Sequence, residues 1–531
     1  MRSNKSLLEI SREKTYPRKV LAAYVEGEIR ELSHVPEKGQ KIEWIDLSKA
    51  DGVRIYQRSL VFLFYIALRQ CFPDNELYVL YSLSRGLYLE FDQELDHDQF
   101  KQIEEKMREL VAKGLPFIKE EMGLEEARRV YHDQGLYFKS DLLRYKESGR
   151  VTLYSCDQIK NYFYGFMVPD TSFLDKFKIV PYSPGAILLH PRTYSPDEIP
   201  PFYEQPKVHA AHMESEAWGQ LLGVGTVCQL NGLVETQDVA EIIQVNEALQ
   251  EKKIARIADE IIKSKKRVVL IAGPSSSGKT TFTHRLKIQL MAEGVFSQTI
   301  SLDNYFVNRE FTPLDKDGNY DFESIEALEL DLLNEHIEDL LEGHEVGLPI
   351  FDFIEGVRQD NAYRMRLKKD EVIIFEGIHG LNERLTKGVL KKDKYKIYIS
   401  ALTSLNLDQH NRIPTTDNRL IRRMVRDSFT RGYDAEQTLS MWDSVRRGEE
   451  LHIFPFQEEA DAVFNSALVY ELAVLKKYAL PILEEIDKKS PVYSQAKRLK
   501  NFLYYLKSIE DDRIVPSTSL LREFIGGSSI L

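Results

Sequence analysis

The spacing of apolar residues changes along the chain and predicts a different kind of structure in each part. Residues from about Tyr16 to Leu47 alternate short β-type runs with turns, which predicts a small β-rich unit. From Gly52 to about Tyr145, an apolar stretch, a hairpin pattern in YVLYSLSRGLYLEF and charged amphipathic helices predict an α+β unit. Short strands with Pro and Gly turns continue to about Pro201, where DEIPPFYEQP is typical of a linker or an exposed loop.

The second half of the chain begins with a helical pattern and then alternates strands with helices. Between Val239 and Lys265, apolar residues recur with a period near 3.6, which predicts one long helix. From Arg267 the chain runs through VVLIAG, a Gly-rich loop, a helix, QTISL, a helical run near Leu328 to Leu341, and VIIFEG. This alternation predicts a parallel sheet flanked by helices.

A chain of 531 residues is too long for one hydrophobic core, so several domains are expected. Because the apolar run VVLIA is followed by the loop GPSSSGKT and a helix, we predict a multidomain α+β and α/β protein with small N-terminal domains and a C-terminal P-loop NTPase domain. The predicted segments are a β-rich domain at 1–50, an α+β domain at 51–200, a linker and helical connector at 201–265, the P-loop domain at 266–490 and a C-terminal helical tail at 491–531.

The strongest chemical signal is the Gly-rich loop that follows VVLIA and precedes a helix. Residues 273–280 fit the pattern G-x-x-x-x-G-K-[ST] in the context of strand, loop and helix that this motif requires. Backbone N–H groups and the helix N-terminus can cradle phosphates, and Lys279 can reach the β and γ phosphates. We predict that the loop binds ATP, or GTP as the alternative, together with Mg²⁺. The predicted nucleotide-binding residues are Gly273, Pro274, Ser275, Ser276, Ser277, Gly278, Lys279, Thr280 and Thr281.

Two carboxylates stand where predicted strands end, which is the edge at which open parallel sheets bind ligands. Asp303, in SLDNYF, is the candidate general base, with a solvated loop carboxylate as the alternative. Glu376 ends VIIFE and is predicted to hold Mg²⁺ together with the hydroxyl of Thr280. A capping or turn carboxylate is the alternative for Glu376.

A run of arginines follows in DNRLIRRMVRDSFTRGYD. Four of them recur at helical offsets that place them on one face, namely Arg419, Arg422, Arg423 and Arg426. Guanidinium groups suit bidentate contacts with phosphate and stabilise charge on a transferred phosphoryl group. The alternative is a solvated helix whose arginines pair with Asp417, Asp427 and Asp434.

The motifs GPSSSGKTT, SLDNYF, YDFESIEAL, PIFDF, VIIFEGIHGL and NRLIRRMVRDSFTRG resemble, in matching order, those of the uridine kinase and phosphoribulokinase family. The resemblance covers roughly residues 267–486. It implies that Asp303 activates the acceptor hydroxyl and that Glu376 serves Mg²⁺. The catalytic set implied is Asp303, Lys279, Arg423 and Arg426, and the acceptor-binding set is Tyr305, Phe351, Asp352, Arg423, Arg426 and Arg431.

The resemblance departs from uridine kinases beside the predicted acceptor. Phe351 stands where those enzymes carry a tyrosine near the base, and Gly356 stands where they carry a base-contacting histidine. Because a site that hydrogen-bonds a polar edge discriminates strongly, losing these donors alters or relaxes the choice of acceptor.

Residues from about Pro17 to Arg192 resemble the TGS domain and the second additional domain of threonyl-tRNA synthetases. In those synthetases two histidines, a cysteine and a further histidine line a zinc-binding editing site. The corresponding positions here are Arg58, Phe62, Phe163 and Met167, none of which is a zinc ligand. The resemblance therefore implies a fold for binding or assembly, without metal-dependent editing.

A separate H-x-x-H, His209 and His212 near Glu214, is predicted to be an exposed pair, with metal binding as the lesser alternative. The three cysteines are far apart, which predicts reduced thiols. No apolar run approaches the ~20 residues of a membrane span, and the polar start lacks the apolar stretch of a signal peptide, so we expect a cytoplasmic protein.

The predicted function is transfer of the γ-phosphate of ATP to a hydroxyl of a nucleoside, a small-molecule partner. One alternative is a kinase of the same family that acts on another small alcohol. Another is an RNA-binding or regulatory P-loop ATPase whose N-terminal half contacts tRNA, although a formal net charge of -12 counts against it. A homo-oligomer is expected by analogy with related kinases.

Overall fold

The first strands of the chain pair into a small antiparallel sheet, as the alternating pattern predicts. The computed structural model describes residues 5–146, 148–314, 318 and 320–530, so residues 1–4 and 531 of the predicted segments lie outside it. The strand order is β2-β1-β3, and Ala23, Val25 and Leu32 pack against Leu7. The elements are α1 (Leu7–Ser11), β1 (Ala22–Val25), β2 (Glu28–Glu31) and β3 (Ile42–Ile45).

A long apolar helix, α2, lies in the core of the following unit between two antiparallel sheets, β4-β5-β10-β9 and β6-β7-β8. The predicted hairpin is confirmed: Ser84 and Arg85 join β4 to β5, and both have positive φ, as a tight hairpin turn requires. The elements are α2 (Ala50–Cys71), β4 (Leu77–Leu83), β5 (Gly86–Phe91), α3 (His97–Lys113), β6 (Ile118–Gly123), α4 (Leu124–Asp133), α5 (Tyr137–Leu142), β7 (Arg150–Cys156), β8 (Ile159–Asn161), β9 (Lys178–Tyr182) and β10 (Gly185–Leu189).

Three helices connect this unit to the C-terminal half. They are α6 (Pro206–Leu222), α7 (Val227–Thr236) and α8 (Val239–Ser264). The long helix predicted from Val239 is confirmed, and its apolar residues recur with a regular period because they form one buried face. Ile254, Ile257 and Ile261 are buried against the sheet and first helix of the C-terminal half.

The C-terminal half is built on a five-stranded parallel sheet with the order β12-β15-β11-β16-β17, which confirms the predicted fold class. Strand β11 lies at the centre of the sheet and is buried throughout. Strands β13 and β14 form a separate antiparallel hairpin outside this sheet. The elements are β11 (Val268–Ala272), α9 (Lys279–Ala292), β12 (Ser297–Ser301), α10 (Leu330–Glu342), β13 (Glu345–Asp352), β14 (Val357–Arg366), β15 (Val372–Glu376), β16 (Lys394–Ser400), α11 (Thr415–Thr430), α12 (Ala435–His452) and β17 (Ala462–Asn465).

The last part of the chain packs back onto the C-terminal half. It contains α13 (Glu471–Glu484), α14 (Tyr493–Leu503) and α15 (Arg522–Ile525). The predicted helical tail is helical in α14 and α15 and mostly irregular between them. Within the described residues, no helix combines the length and the apolar character needed to span a membrane.

The two halves meet where a loop of the C-terminal half, residues 405–412, enters the N-terminal half. We call it the docking loop. The N–H of Val79 on edge strand β4 donates to the Gln409 carbonyl at 2.8 Å. The ring of His410 stacks on Phe163 with centroids 5.8 Å apart, and the Phe163 ring lies 5.4 Å from that of Phe62. Two of the positions that the synthetase resemblance assigns to lost zinc ligands thus form an aromatic wall against the docking loop.

A buried ion pair fixes the docking loop. Lys139 on α5 and Asp408 are both fully buried, with Nζ and Oδ1 3.4 Å apart. Asp408 Oδ1 also accepts the N–H of His410 at 2.9 Å, so the same carboxylate shapes the loop. Burial lowers the pKa of Lys139, and Asp408 opposes that shift. Removing either charge leaves the other buried without its counterion.

The H-x-x-H pair is not the exposed pair that the sequence predicts. The side chain of His212 is buried, and its ring stacks on Tyr81 with centroids 3.8 Å apart. His209 Nδ1 lies 3.0 Å from the Tyr81 hydroxyl. Burial lowers the pKa of both histidines, that of His212 to about 3. The sequence pattern missed this because Tyr81 belongs to a strand far away along the chain.

Neutralising Asp408 should destabilise the protein far more than neutralising an exposed aspartate. We expect Asp408→Asn to lower the free energy of unfolding by about 3 kcal/mol, because Lys139 stays buried without a counterion. Denaturant unfolding measures the effect. The matched control is Asp141→Asn, whose partner Arg144 is 60% exposed, and it should cost less than about 0.5 kcal/mol. Adding Lys139→Met to the first variant should restore most of the loss, and equal stability of the two Asp→Asn variants would contradict the interpretation.

Candidate active site

The phosphate-binding motif forms the connection between β11 and α9 at the carboxyl edge of the sheet. Ser276 and Gly278 have φ of +59° and +84°, so the loop turns through the left-handed region. A Cβ at Gly273 would lie 2.1 Å from the Ile399 carbonyl oxygen, so only glycine fits against β16. Lys279 Nζ donates to the Gly273 carbonyl at 3.0 Å, which places its ammonium group across the loop.

Asp303 and Glu376 lie at the same edge because their strands are neighbours. Ser301 pairs with Glu376 in the parallel ladder, and Asp303 follows two residues later. Burial raises the pKa of Glu376 to about 7, with Lys279 opposing and Asp303 adding to the shift. Burial also raises the pKa of Asp303, against the effects of Lys279 and Arg431. The structure thus brings together Lys279 and both predicted carboxylates.

These groups fit Mg²⁺. Neither the Asp303 nor the Glu376 carboxylate accepts a hydrogen bond from another described residue, so their oxygens are available as ligands. The side chain of Thr280, the second predicted ligand, lies at the exposed start of α9. Carboxylate and hydroxyl oxygens are the donors that this hard cation prefers, and a cation would offset the repulsion between two half-buried acids.

A third half-buried carboxylate, Glu323, faces the same site, and the sequence did not single it out. Burial raises its pKa to about 7, with Glu449 adding to the shift and Arg423 and Lys279 opposing it. Helix α12 lies directly against it, since a Cβ at Gly448 would be 2.3 Å from the Glu323 Cβ. The only sequence signal was the motif YDFESIEAL, whose acidic residues do not follow a strand and so carried no positional clue.

The arginines of helix α11 fall into two groups that make different contacts. Arg419 and Arg422 are fully buried and form ion pairs with Glu449 and Glu471. Arg419 Nε donates to the Ser275 carbonyl at 2.9 Å, so this arginine supports the back of the phosphate loop. The prediction of one open arginine face is therefore wrong for these two residues. Their partners are two glutamates outside the helix, whereas Asp427, one of the three predicted aspartates, pairs with Arg423 and Arg426.

The other three arginines gather around Asp427 on the site side of the helix. Arg423 Nε, Arg426 Nη2 and Arg431 Nε lie 3.2, 3.1 and 3.6 Å from its carboxylate. Arg423 also donates to the Ser275 hydroxyl at 3.0 Å. Burial lowers the pKa of Arg431, and Asp303 is among the acids that oppose the shift. Of these three, Arg423 contacts the phosphate loop and Arg431 lies within electrostatic reach of the candidate base, whereas Arg426 contacts Asp427.

The remaining predicted acceptor residues make their contacts with residues outside the phosphate loop. The Tyr305 hydroxyl lies 3.0 Å from His336 Nδ1, and the tyrosine is fully buried. Phe351 is buried beside Phe306, with ring centroids 5.5 Å apart. Asp352 Oδ1 accepts the Ile354 and Glu355 N–H groups, so it closes the β13–β14 turn.

Comparison with known proteins places this site in a family context. Residues 268–473 match the model of the phosphoribulokinase / uridine kinase family. The phosphate loop, both carboxylates and the arginine helix all lie within that range. This region of the chain therefore has the sequence motifs and the parallel sheet with flanking helices of a P-loop kinase fold.

Individual relatives are similar over the same share of the chain. The uridine kinase of Halobacterium salinarum is 29% identical over 195 residues, which are 36% of this chain and 77% of that protein. The uridine kinase of Mycoplasma genitalium is 29% identical over 198 residues, 37% of this chain and 83% of that protein. A solved structure of a possible uridine kinase from Bacillus stearothermophilus is 19% identical and covers 40% of this chain and 98% of its own, with a TM-score of only 0.28.

The raised pKa of Glu376 predicts that this glutamate destabilises the folded protein more at high pH than at low pH. Between the ordinary pKa of a glutamate and about 7, the folded state keeps a proton that the unfolded state loses, so stability falls as pH rises. Glu376→Gln is neutral at every pH. We expect it to raise the free energy of unfolding by about 1–3 kcal/mol at pH 8 and by little at pH 5.

Thermal and denaturant unfolding without added nucleotide or metal measure this difference. The control is Glu345→Gln on the exposed side of β13, where the glutamate is 54% exposed and should matter little at either pH. An equal gain for Glu376→Gln at pH 5 and pH 8 would show that burial of the charge is not its cause.

Proposed function

We propose that the protein is an ATP-dependent kinase that transfers the γ-phosphate to a hydroxyl group of a nucleoside-like small molecule. The observation that carries the proposal is the convergence of Lys279, Asp303 and Glu376 on one phosphate loop, at the edge of a parallel sheet. The family match of residues 268–473 and the names of the relatives support a phosphotransferase. The nucleoside acceptor is the part that is proposed.

In this proposal Asp303 orients the acceptor hydroxyl and takes its proton as the new bond to the γ-phosphorus forms. The bond from that phosphorus to the β,γ-bridging oxygen breaks, and the nucleoside diphosphate leaves with that electron pair. A carboxylate whose pKa is raised by partial removal from water is a stronger base than a solvated one, which suits this role. Lys279, Arg423 and Arg426 supply positive charge where negative charge develops. Mg²⁺, held by Thr280 and Glu376, would neutralise phosphate charge.

The residues around Gly356 bear on the identity of the acceptor. This glycine has φ of +73°, and a Cβ there would lie 2.6 Å from Arg309 Nε. The Arg309 guanidinium thus lies beside Gly356, the position at which the family resemblance places a base-contacting histidine. A cation in place of a neutral ring favours an acceptor with a more electron-rich or anionic edge than uridine, so a sugar phosphate stays the main alternative.

Substitutions at Lys279 and Asp303 should separate chemistry from binding. We expect Lys279→Ala to reduce kcat/KM by about a hundredfold or more, because it removes charge from the transferred phosphoryl group. Asp303→Asn should retain ATP binding and lose turnover by about 10²–10⁴-fold. Steady-state kinetics and calorimetric ATP binding measure the two effects. The matched control is Asp331→Asn on the exposed face of α10. Unchanged turnover in Asp303→Asn would exclude Asp303 as the base.

An acceptor screen with labelled ATP and Mg²⁺ tests the substrate class. The panel contains pyrimidine and purine nucleosides, sugar phosphates and pantothenate-like vitamins, and Lys279→Ala controls for contaminating kinases. We expect one nucleoside to be labelled on a hydroxyl group. A labelled sugar phosphate would establish the same-family alternative. Failure to label any acceptor, with ATP binding intact, would instead support a regulatory P-loop ATPase, which tRNA binding at varied salt would then test.

A further inference from the structure

Helix α15, close to the C-terminus, places a carboxylate on the first turn of α9. Glu523 Oε2 accepts the Thr281 N–H at 3.1 Å and the Thr281 hydroxyl at 2.8 Å. Thr281 is the last residue of the predicted nucleotide-binding loop. The first N–H groups of a helix have no partner within the helix and carry its positive end, which is why phosphates bind there. Glu523 therefore occupies donors that suit a phosphate oxygen.

The backbone that carries Glu523 is anchored on both sides. Leu520 is buried in the cluster that contains Phe282 of α9, and the Arg422 guanidinium lies 4.9 Å from the Phe524 ring. The Ser519 hydroxyl donates to Glu247 at 2.6 Å. Only the side chain of Glu523 has to move for the donors of Thr281 to become free. Helix α15 lies beyond residues 268–473, the range that matches the kinase family model.

A second glutamate also contacts the phosphate loop, but unlike Glu523 it is held in place by arginines. Glu449 accepts the Ser275 N–H at 3.2 Å, and it is held there by Arg419 and Arg446. Among the described residues, no cation lies within ion-pair distance of Glu523, so Thr281 alone retains it. The negative charge of Glu523 also adds to the raised pKa of Glu376, which places it within electrostatic reach of the candidate metal ligand.

We infer that Glu523 is an autoinhibitory contact that competes with a nucleotide phosphate for the N–H and hydroxyl of Thr281. The inference rests on the proposed nucleotide binding at this loop. A nucleotide gains these donors only in molecules whose Glu523 has swung away, so its apparent affinity is reduced by the fraction in that state. Any partner or ligand that draws Glu523 off the loop would raise nucleotide affinity by the same linkage.

Binding of ATP and of adenosine to the full chain tests this inference. Glu523→Gln keeps the shape of the side chain and removes the charge that competes with phosphate. The matched control is Glu510→Gln, an exposed glutamate of the same tail. We expect the Kd of ATP to fall about three- to tenfold in Glu523→Gln, because a neutral amide oxygen is a weaker acceptor than a carboxylate and so competes less with phosphate. The Kd of adenosine should not change, and Glu510→Gln should behave like the unaltered protein.

Each other outcome has a distinct meaning. Equal ATP affinity in the unaltered protein and Glu523→Gln, or weaker binding with a lower Tm, would overturn the inference and show that Glu523 only caps α9. An equal gain for adenosine and ATP would also overturn it, since competition with phosphate would then not be the cause. ATP binding by none of the three proteins would overturn the proposed function, and the inference with it.

Discussion

The phosphate loop keeps its shape because a buried ion pair holds Ser275 from both directions. Arg419 donates to its carbonyl oxygen, and Glu449 accepts its N–H. The two side chains pair with each other in the interior, where an uncompensated charge is costly. This ion pair therefore links helices α11 and α12 to each other and to the phosphate loop. The position of Arg423 next to Ser275 depends on the same arrangement.

The N-terminal half contacts the segment that leads into the arginine helix α11. The docking loop ends just before α11 begins at Thr415, so the segment that enters the aromatic wall also leads into the arginine helix. The pair of Lys139 and Asp408 fixes one end of that segment, and the pair of Arg422 and Glu471 holds the helix further along. A change in how the halves fit together would be passed to the arginines through one continuous stretch of backbone.

Much of the fold and the centre of the site could be predicted from local sequence patterns. The strand, loop and helix around Gly273 form one contiguous motif, and the period of apolar residues in α8 reports one buried face. Neighbouring parallel strands then bring Asp303 and Glu376 to one edge without further information.

Contacts between distant positions could not be predicted. The partners of Arg419 and Arg422 lie 30 and 49 positions away, and Glu523 meets Thr281 across 242 positions. No spacing rule connects such residues, and burial of His212 against Tyr81 depends on how two units pack. The sequence shows that Arg419 lies on a helix with other arginines, but its burial is decided by α12.

The docking loop also bears on how the chain could be divided. A kinase domain cut free near residue 266 would present Asp408 and the ring of His410 to water, without Lys139 and Phe163 to receive them. The remaining N-terminal fragment would keep the ammonium group of Lys139, bonded to Asn161 and Tyr162, without its counterion. The two halves are thus better described as one cooperative folding unit than as a carrier with a detachable enzyme, and limited proteolysis within the connector need not release an active fragment.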